Sequence, residues 1–418
     1  MSFRRSFARA LAAIWFRSRQ REGHEPTSGA TLWVLNHPNG LLDPLVVTST
    51  LERPPRLLAK ATLWKTPILR PFLAAFDPIP VHRRQDGAVA EGATEKMFAS
   101  VHEALAQGDA IALFPEGISH GRRDLAPLKT GAARIALAAK DPVRLVPAGI
   151  VYGERERFRH SVLLRIGEPI AHDDLRGQGA DPAAVDALSE RIRDALYPLT
   201  LHGSDDEVLR LAEHLAWLLA EAPATRAKLD DVRARVRALA DRLGALDPTT
   251  RSDIAARVER ARETLADAGV RPDQLGFAYS SDDVRRWLPG FLLRLALMPF
   301  ILTVGLLFWP AYRLTGFVIG KLSLELDVIA TYKFLLGLVV FPAWLALLTT
   351  LAGLRFGIGG VLTTLFAAAL AFIALPLLER LREDAQAIRG FLHRKDTSLA
   401  PLLEERARLL DAFPELSR

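Results

Sequence analysis

The chain has 418 residues, half of them hydrophobic, with no cysteine and a formal net charge of +6 at pH 7. This length allows two or three domains, and the lack of cysteine excludes disulfides, thiolate nucleophiles and cysteine-ligated metals. The basic balance favours acidic partners such as anionic lipid headgroups, phosphorylated substrates or an acidic carrier protein. Nucleic acid is not expected, because the chain has neither zinc-ligand spacing nor a basic region followed by heptads.

Residues 1–27 are predicted to form an amphipathic N-terminal helix. Phe3, Phe7, Leu11 and Ile14 recur at spacings of four, four and three residues, with arginines around them. Arginines also follow the apolar stretch where small residues would mark a signal-peptide cleavage site, so we expect no signal peptide. A basic helix with an aromatic end can lie on a membrane surface or pack on the next domain, and the pattern leaves both open.

Residues 28–172 alternate short apolar runs with helix-like segments. The predicted strands are 32–35, 78–82, 110–114, 144–152 and 162–166, and the predicted helices are 44–51, 91–107 and 131–139. This alternation predicts an α/β domain with a mixed, mostly parallel sheet flanked by helices. The polar residues that stand out follow strands, where α/β sheets bind their ligands.

The rest of the chain is predicted to be helical. Residues 173–287 have helical periodicity and charged faces, which predicts an all-α region. Residues 288–378 contain three charge-free runs, each about the ~20 residues that cross a bilayer: 295–312, 334–354 and 356–378. A hairpin turn is predicted at 353–360, and a charged helical tail at 379–418.

The first of these runs is ambiguous. It is short, and Pro299 and Pro310 interrupt it, so it either spans the membrane or is re-entrant. If it is re-entrant, the basic N-terminal domain and the arginine-rich tail both lie on the cytoplasmic side, as the positive-inside rule prefers.

The sequence NHPNGLLDP at residues 36–44 follows the first apolar strand of the α/β domain. An imidazole with a pKa near ~6.5 can take a proton from an attacking alcohol. Asp43 would fix the tautomer of His37 and stabilise the imidazolium. The alternative is structural, with His37 bonded to a turn and Asp43 capping the following helix.

Further motifs follow other predicted strands: IPVHRR at 79–84, FPEGISH at 114–120, PLKTG at 127–131 and VPAG at 146–149. Arginine is well matched to phosphate, so Arg83 is a candidate phosphate ligand. Lys129 and Gly131 could add a phosphate contact at a helix N-terminus.

Together these motifs resemble the glycerol-phosphate acyltransferase superfamily, over about residues 30–170. The resemblance implies that His37 is the general base, Asp43 its partner and Pro147 a residue that shapes the site. The candidate substrate-binding residues are Asn39, Arg83, Glu116, Gly117, Ser119, Arg122 and Lys129.

Two departures from the usual motifs of the superfamily indicate which of its branches this chain resembles. Five residues separate His37 from Asp43, where the family usually has four, and FPEGISH replaces the usual FPEGTRS. The arginine of that motif is therefore absent, and Arg122 or Arg123 could replace its charge. With PLKTG and the sequence DVIATYK at 327–333, these departures are similar to the branch containing fungal-type glycerol-3-phosphate and dihydroxyacetone-phosphate acyltransferases. Members of that branch carry C-terminal membrane segments, and the similarity favours glycerol-3-phosphate as acceptor.

The function implied is that of a multi-pass membrane O-acyltransferase in phospholipid biosynthesis, with its catalytic domain on the cytoplasmic face of the cell (inner) membrane. It would move an acyl group from acyl-CoA or acyl carrier protein to glycerol-3-phosphate or 1-acylglycerol-3-phosphate (lysophosphatidate). The hydroxyl would attack directly, with backbone N–H groups near residues 114–117 stabilising the oxyanion. No cofactor or metal is expected. The alternatives are another lipid or alcohol acceptor, and a non-catalytic membrane scaffold with this fold.

Overall fold

The computed structural model describes residues 3–82, 92–121, 125–153, 155–176, 181–200, 206–219, 229–268, 270, 281–393 and 400–413. The chain forms two compact units. The first comprises Met1–His202 with Leu322–Leu335, and the second comprises Gly203–Lys321 with Leu336–Arg418.

A seven-stranded sheet organises the first unit. Its strands are β1 (Phe16–Glu22), β2 (Thr31–Leu35), β3 (Arg56–Lys60), β4 (Ile79–Val81), β5 (Ala110–Leu113), β6 (Arg144–Tyr152) and β7 (His160–Ile166). The order across the sheet is β1-β7-β6-β2-β5-β3-β4, and among these described strands only the β6–β7 pair is antiparallel. The predicted mixed, mostly parallel sheet is therefore confirmed, with β2 at its centre.

Among the described residues, six α-helices accompany the sheet: α1 (Phe3–Trp15), α2 (Leu42–Thr50), α3 (Arg70–Phe76), α4 (Ala93–Ala106), α5 (Gly131–Ala138) and α6 (Pro182–Leu196). Apolar side chains of α4, α5 and α6 form one core with those of β2, β5 and β6. Both β2 and β5 are buried along their whole length, as expected of central parallel strands.

The N-terminal segment differs from the prediction, because the helix ends at Trp15 and residues 16–22 form strand β1. This strand lies at the sheet edge, where it pairs with β7, and its arginines are exposed or half-buried. A charged edge strand lacks the run of apolar residues by which a strand is predicted from sequence. Helix α1 packs on α2 and α3 through a buried face that includes Leu11 and Trp15. Of the two alternatives left open by the sequence, packing on the next domain is therefore the one observed.

The first unit also extends past residue 172, where we placed the start of the helical region. Val185, Leu188 and Ile192 of α6 are buried in the core of the sheet domain. The segment is helical as predicted, but the predicted domain boundary at residue 172 was wrong, because the periodicity of a helix does not indicate which core its apolar face joins.

The second unit is helical, as predicted. It contains α7 (Asp206–Leu218), α8 (Leu229–Ala245), α9 (Pro248–Ala268), α10 (Ser281–Ala296), α11 (Met298–Gly320), α13 (Ala400–Ala412) and all but the first turns of α12 (Leu326–His393). Within the described residues, α11 and Leu326–Arg389 of α12 are long and apolar enough to cross a membrane.

Helix α12 reverses direction at Gly357, whose φ of 63° and ψ of −153° are not helical. A Cβ on Gly360 would lie 2.3 Å from the carbonyl oxygen of Ala352. Those residues would be about 12 Å apart in a straight helix, since each residue adds ~1.5 Å. The helical hairpin predicted at 353–360 is therefore present.

Candidate active site

The loops that follow β2 (residues 36–41, the β2 loop) and β5 (residues 114–121, the β5 loop) lie side by side, because these strands are parallel neighbours. The N–H of His120 donates to the carbonyl of His37 across the two loops, at 3.3 Å. Asn36 ties the β2 loop to β6, since its amide donates to the Ile150 carbonyl (3.0 Å) and accepts from the Ile150 N–H (2.7 Å). The motif contained Asn36, but the sequence did not single it out.

His37 and Asp43 are brought together as the sequence predicted. His37 Nδ1 lies 2.8 Å from Asp43 Oδ2, and the imidazole stacks on Phe114 with ring centroids 4.1 Å apart. Asp43 is fully buried, whereas the His37 side chain is 16% exposed. A buried carboxylate accepts a hydrogen bond from Nδ1–H, so the neutral imidazole carries its proton on Nδ1 and Nε2 can act as a base.

Asp43 is held by two further donors. The N–H of Asn39 donates to Oδ2 at 2.7 Å, and the Tyr152 hydroxyl donates to Oδ1 at 2.6 Å. Burial, followed by the charge of Asp43 and the hydrogen bond to it, raises the pKa of Tyr152 well above 10.0. Tyr152 therefore remains a donor at neutral pH. Its role was missed because it depends on the register between β2 and β6.

Glu116 faces into the protein and is 2% exposed. Its Oε1 accepts from the backbone N–H of His37 (2.7 Å), and its Oε2 accepts from the N–H of Ala126 (2.7 Å) and bonds His120 Nε2 (2.5 Å). The sequence suggested a substrate contact for Glu116, but both carboxylate oxygens have partners inside the protein. The carboxylate thus fixes the backbone that carries the imidazole.

Gly117 and Lys129 form one feature of the site. Gly117 has φ of 74°, a conformation that favours glycine, and a Cβ there would lie 2.7 Å from Lys129 Cδ, so the lysine side chain lies against this residue. The exposed Lys129 side chain therefore runs over the β5 loop, and the backbone N–H of Lys129 donates to the carbonyl of Pro115 at 2.7 Å. The N–H of Gly117 donates to the carbonyl of Phe114 (2.9 Å), so it is not free to stabilise an oxyanion as we expected.

The other candidate binding residues divide into two groups. Asn39 is fully buried and donates to the carbonyl of Arg155 (2.9 Å), and Ser119 donates to Asp327 Oδ2 (2.6 Å). Arg83, Arg122 and Arg123 lie outside the residues that the structure describes. Within the described ranges, no three His, Asp or Glu side chains converge on a point that could hold a metal ion.

An apolar pocket opens beside the β2 loop. Leu41 and Pro44, on either side of Asp43, form part of its wall, together with Phe72, Phe76 and Phe334. Every residue that lines the pocket is apolar, so it suits a hydrocarbon chain rather than a polar group.

Comparison with known proteins shows which proteins the chain resembles. Residues 16–151 match the family model described as Acyltransferase. The chain is 35% identical over 124 residues to glycerol-3-phosphate O-acyltransferase 2 of Saccharomyces cerevisiae, and 32% identical over 126 residues to an uncharacterised acyltransferase of Schizosaccharomyces pombe. Each match covers 28% of this chain, and they span 17% and 19% of those relatives. The crystal structure of the 1-acyl-sn-glycerophosphate acyltransferase of Thermotoga maritima superposes with a TM-score of 0.36 and 21% identity, over 48% of this chain and 80% of that one.

Proposed function

Residues 16–151 form an acyltransferase domain of the glycerol-phosphate acyltransferase superfamily, and from this premise we propose that the protein is a membrane O-acyltransferase. It moves an acyl group from an acyl thioester to the hydroxyl of glycerol-3-phosphate or 1-acylglycerol-3-phosphate. The observation that carries the proposal is the 2.8 Å contact between His37 Nδ1 and the buried Asp43, with the imidazole still partly exposed.

The proposed reaction is a direct transfer. His37 Nε2 takes the proton of the acceptor hydroxyl while that oxygen attacks the thioester carbonyl carbon. The tetrahedral intermediate collapses with cleavage of the carbon–sulfur bond, and the imidazolium returns its proton to the departing thiolate. Asp43 stays ionised and stabilises the imidazolium, supported by Asn39 N–H and Tyr152 OH. The products are the ester and the free thiol of CoA or carrier protein.

The two substrates suit two features of the site. We propose that Lys129, extended over the β5 loop, contacts the acceptor phosphate, since an exposed ammonium is a suitable phosphate ligand. The apolar pocket at Leu41 and Pro44 would hold the acyl chain of the thioester. The relative named for glycerol-3-phosphate favours that compound as acceptor.

The apolar helices support a membrane location. A core helix of a soluble protein is mostly buried, but only 22% of the most apolar window of α11 and 6% of that of α12 is buried within the protein. Leu354, Phe356 and Ile358 at the tip of the α12 hairpin are 81%, 68% and 74% exposed. Side chains this apolar and this exposed are expected to face lipid.

The contacts at the helix ends support one topology for these segments. The segment after α11, residues 322–335, belongs to the sheet domain. The segment before α11, residues 206–296, follows the sheet domain in the chain, and its described residues contain no candidate spanning helix. Both ends of α11 are then on one side of the membrane, so we propose that α11 is re-entrant or interfacial. Asp384, beyond the α12 hairpin, accepts hydrogen bonds from Trp287 (2.7 Å) and Arg294 (2.6 and 2.9 Å), which supports return of the tail to that same, cytoplasmic side.

A chain without cysteine allows this topology to be tested by labelling single cysteines in sealed inverted vesicles. We expect Ser281→Cys, Ser323→Cys and Ala385→Cys to react with an impermeant maleimide added outside, on the cytoplasmic face. Arg355→Cys, at the exposed charged position of the hairpin turn, should react only after the vesicles are opened. If Ser281→Cys and Ala385→Cys were labelled from opposite sides, α11 would span and the topology would be wrong.

The enzymatic proposal is tested by incubating membranes that contain the protein with palmitoyl-CoA and each acceptor, and identifying the lipid product by mass spectrometry. Lysophosphatidate formed from glycerol-3-phosphate supports the favoured acceptor, and phosphatidate formed only from the monoacylated acceptor supports the other. If neither forms with acyl-CoA or acyl carrier protein, the proposed function is wrong.

A further inference from the structure

The first turns of α12, residues 326–334, pack on the active-site loops from a distant part of the sequence. Asp327, Ala330 and Phe334 are 3%, 0% and 6% exposed, and they lie on one helix face with Thr331 at spacings of three and four residues. A helix that served only as a membrane anchor would have no reason to bury an aspartate there, so this face has a partner in the sheet domain.

Thr331 contacts the spacer between His37 and Asp43. Its Oγ1 accepts a hydrogen bond from the N–H of Leu41 at 3.0 Å, although the two residues are 290 positions apart. Gly40 has φ of 37°, and a Cβ there would lie 2.7 Å from that same oxygen. The glycine thus lets the helix approach the backbone of the spacer closely.

Asp327, one turn earlier, contacts the second active-site loop. Its Oδ2 accepts from the Ser119 hydroxyl at 2.6 Å, and Leu326 lies against Gly121 at the end of that loop. Lys333, in a later turn of the same helix, donates to the carbonyl of Glu156 at 2.9 Å and anchors the helix to the segment after β6.

Phe334 completes the contact. Its ring packs at 5.6 Å from that of Trp15 and at 6.2 Å from that of Phe72, and it forms part of the wall of the apolar pocket. Asp327 and Thr331 therefore contact the two loops, and Phe334 contacts the pocket.

We propose that residues 326–334 complete the acyltransferase site, with Thr331 and Asp327 as positioning residues for the β2 and β5 loops. The proposal rests on the proposed function. A five-residue spacer that contains a glycine at positive φ has several backbone conformations available, and only some of them bring His37 to Asp43. The bond from Leu41 to Thr331 selects one of them, so the geometry of the base depends on a residue at the start of the long apolar helix.

The test compares variants of the full-length protein in membranes. Thr331→Val keeps the side-chain shape but leaves the Leu41 N–H without an acceptor, so kcat should fall about 5- to 50-fold while both KM values stay within about threefold. Thr331→Ser keeps the hydroxyl and should retain kcat. Thr350→Val is the matched control, because the Thr350 hydroxyl lies on the same helix and donates locally to the carbonyl of Ala346.

Asp327 is tested by a double-mutant cycle. Asp327→Ala and Ser119→Ala remove the same hydrogen bond, so the double variant should be no slower than the slower single variant. Losses that multiply would mean that Asp327 acts other than through Ser119, which would overturn its assigned role.

A second measurement does not depend on turnover. Hydrogen exchange of the peptide covering residues 36–44 should be faster in Thr331→Val than in wild type and in Thr350→Val. Unchanged exchange, or wild-type kcat in Thr331→Val, overturns the inference while leaving the proposed function intact. A wild-type protein that transfers no acyl group refutes the proposed function itself, and the exchange result then still decides whether Thr331 orders the loop.

Discussion

Glu116→Gln is expected to slow acyl transfer without weakening acceptor binding. Oε1 of Glu116 accepts from the His37 N–H and Oε2 from the Ala126 N–H, both at 2.7 Å. Glutamine has one side-chain oxygen, so in either orientation its amide group faces one of these backbone donors. A buried donor without an acceptor costs ~1–3 kcal/mol. If this whole cost appears in the transition state, kcat falls about 5- to 150-fold, since 1.36 kcal/mol corresponds to tenfold in rate.

The assay is acceptor-dependent thiol release with glycerol-3-phosphate varied, which separates kcat from KM. Glu168→Gln, at an exposed glutamate of the same domain, is the matched control and should behave as wild type. A rise of tenfold or more in the acceptor KM at unchanged kcat would show that Glu116 contacts the acceptor. That result would refute the positioning role deduced from its buried hydrogen bonds.

Two further predictions concern single side chains of the site. Tyr152→Phe removes a donor from the buried Asp43 and should lower the free energy of unfolding by about 1.5–3 kcal/mol, seen as a lower melting temperature in detergent. Because the pKa of Tyr152 is raised above the 10.0 of an unfolded tyrosine, the free energy of unfolding of the wild type should fall as pH rises above 10. This fall should be smaller in Tyr152→Phe, and an equal dependence on pH in both proteins would contradict the prediction. Lys129→Met should raise the glycerol-3-phosphate KM about tenfold at similar kcat, as expected for loss of one charge-assisted phosphate contact. Lys140→Met, at another exposed lysine, is the control and should leave this KM unchanged. An unchanged KM in Lys129→Met would exclude a phosphate contact.

The centre of the fold was predictable from sequence because its signals are local. Strands β2, β5 and β6 are buried, so their sequences are continuous apolar runs. Parallel neighbours end at the same edge of a sheet, so the motifs after β2 and β5 had to meet there. His37 and Asp43 are six residues apart in the sequence, so their pairing could be predicted from the local motif alone.

The parts that the sequence did not predict depend on tertiary contacts. Strand β1 carries charges because it is an edge strand, so it gives no apolar signal. The role of Tyr152 depends on the register of β6 against β2, and that of Thr331 on a contact 290 residues away. Nothing in a FPEGISH motif indicates that its carboxylate turns inward to the backbone of His37 rather than outward to substrate.

The central claim is that His37 is the general base of an acyl transfer. It is tested most directly by acceptor-dependent thiol release from palmitoyl-CoA, comparing wild type with His37→Ala at equal protein content in the membrane. His24→Ala, at an exposed histidine of the same domain, serves as the control. We predict that His37→Ala loses nearly all acceptor-dependent release, at least the ~10²-fold that a positioned base contributes, and that His24→Ala keeps it. Release by His37→Ala at the wild-type rate would contradict the account.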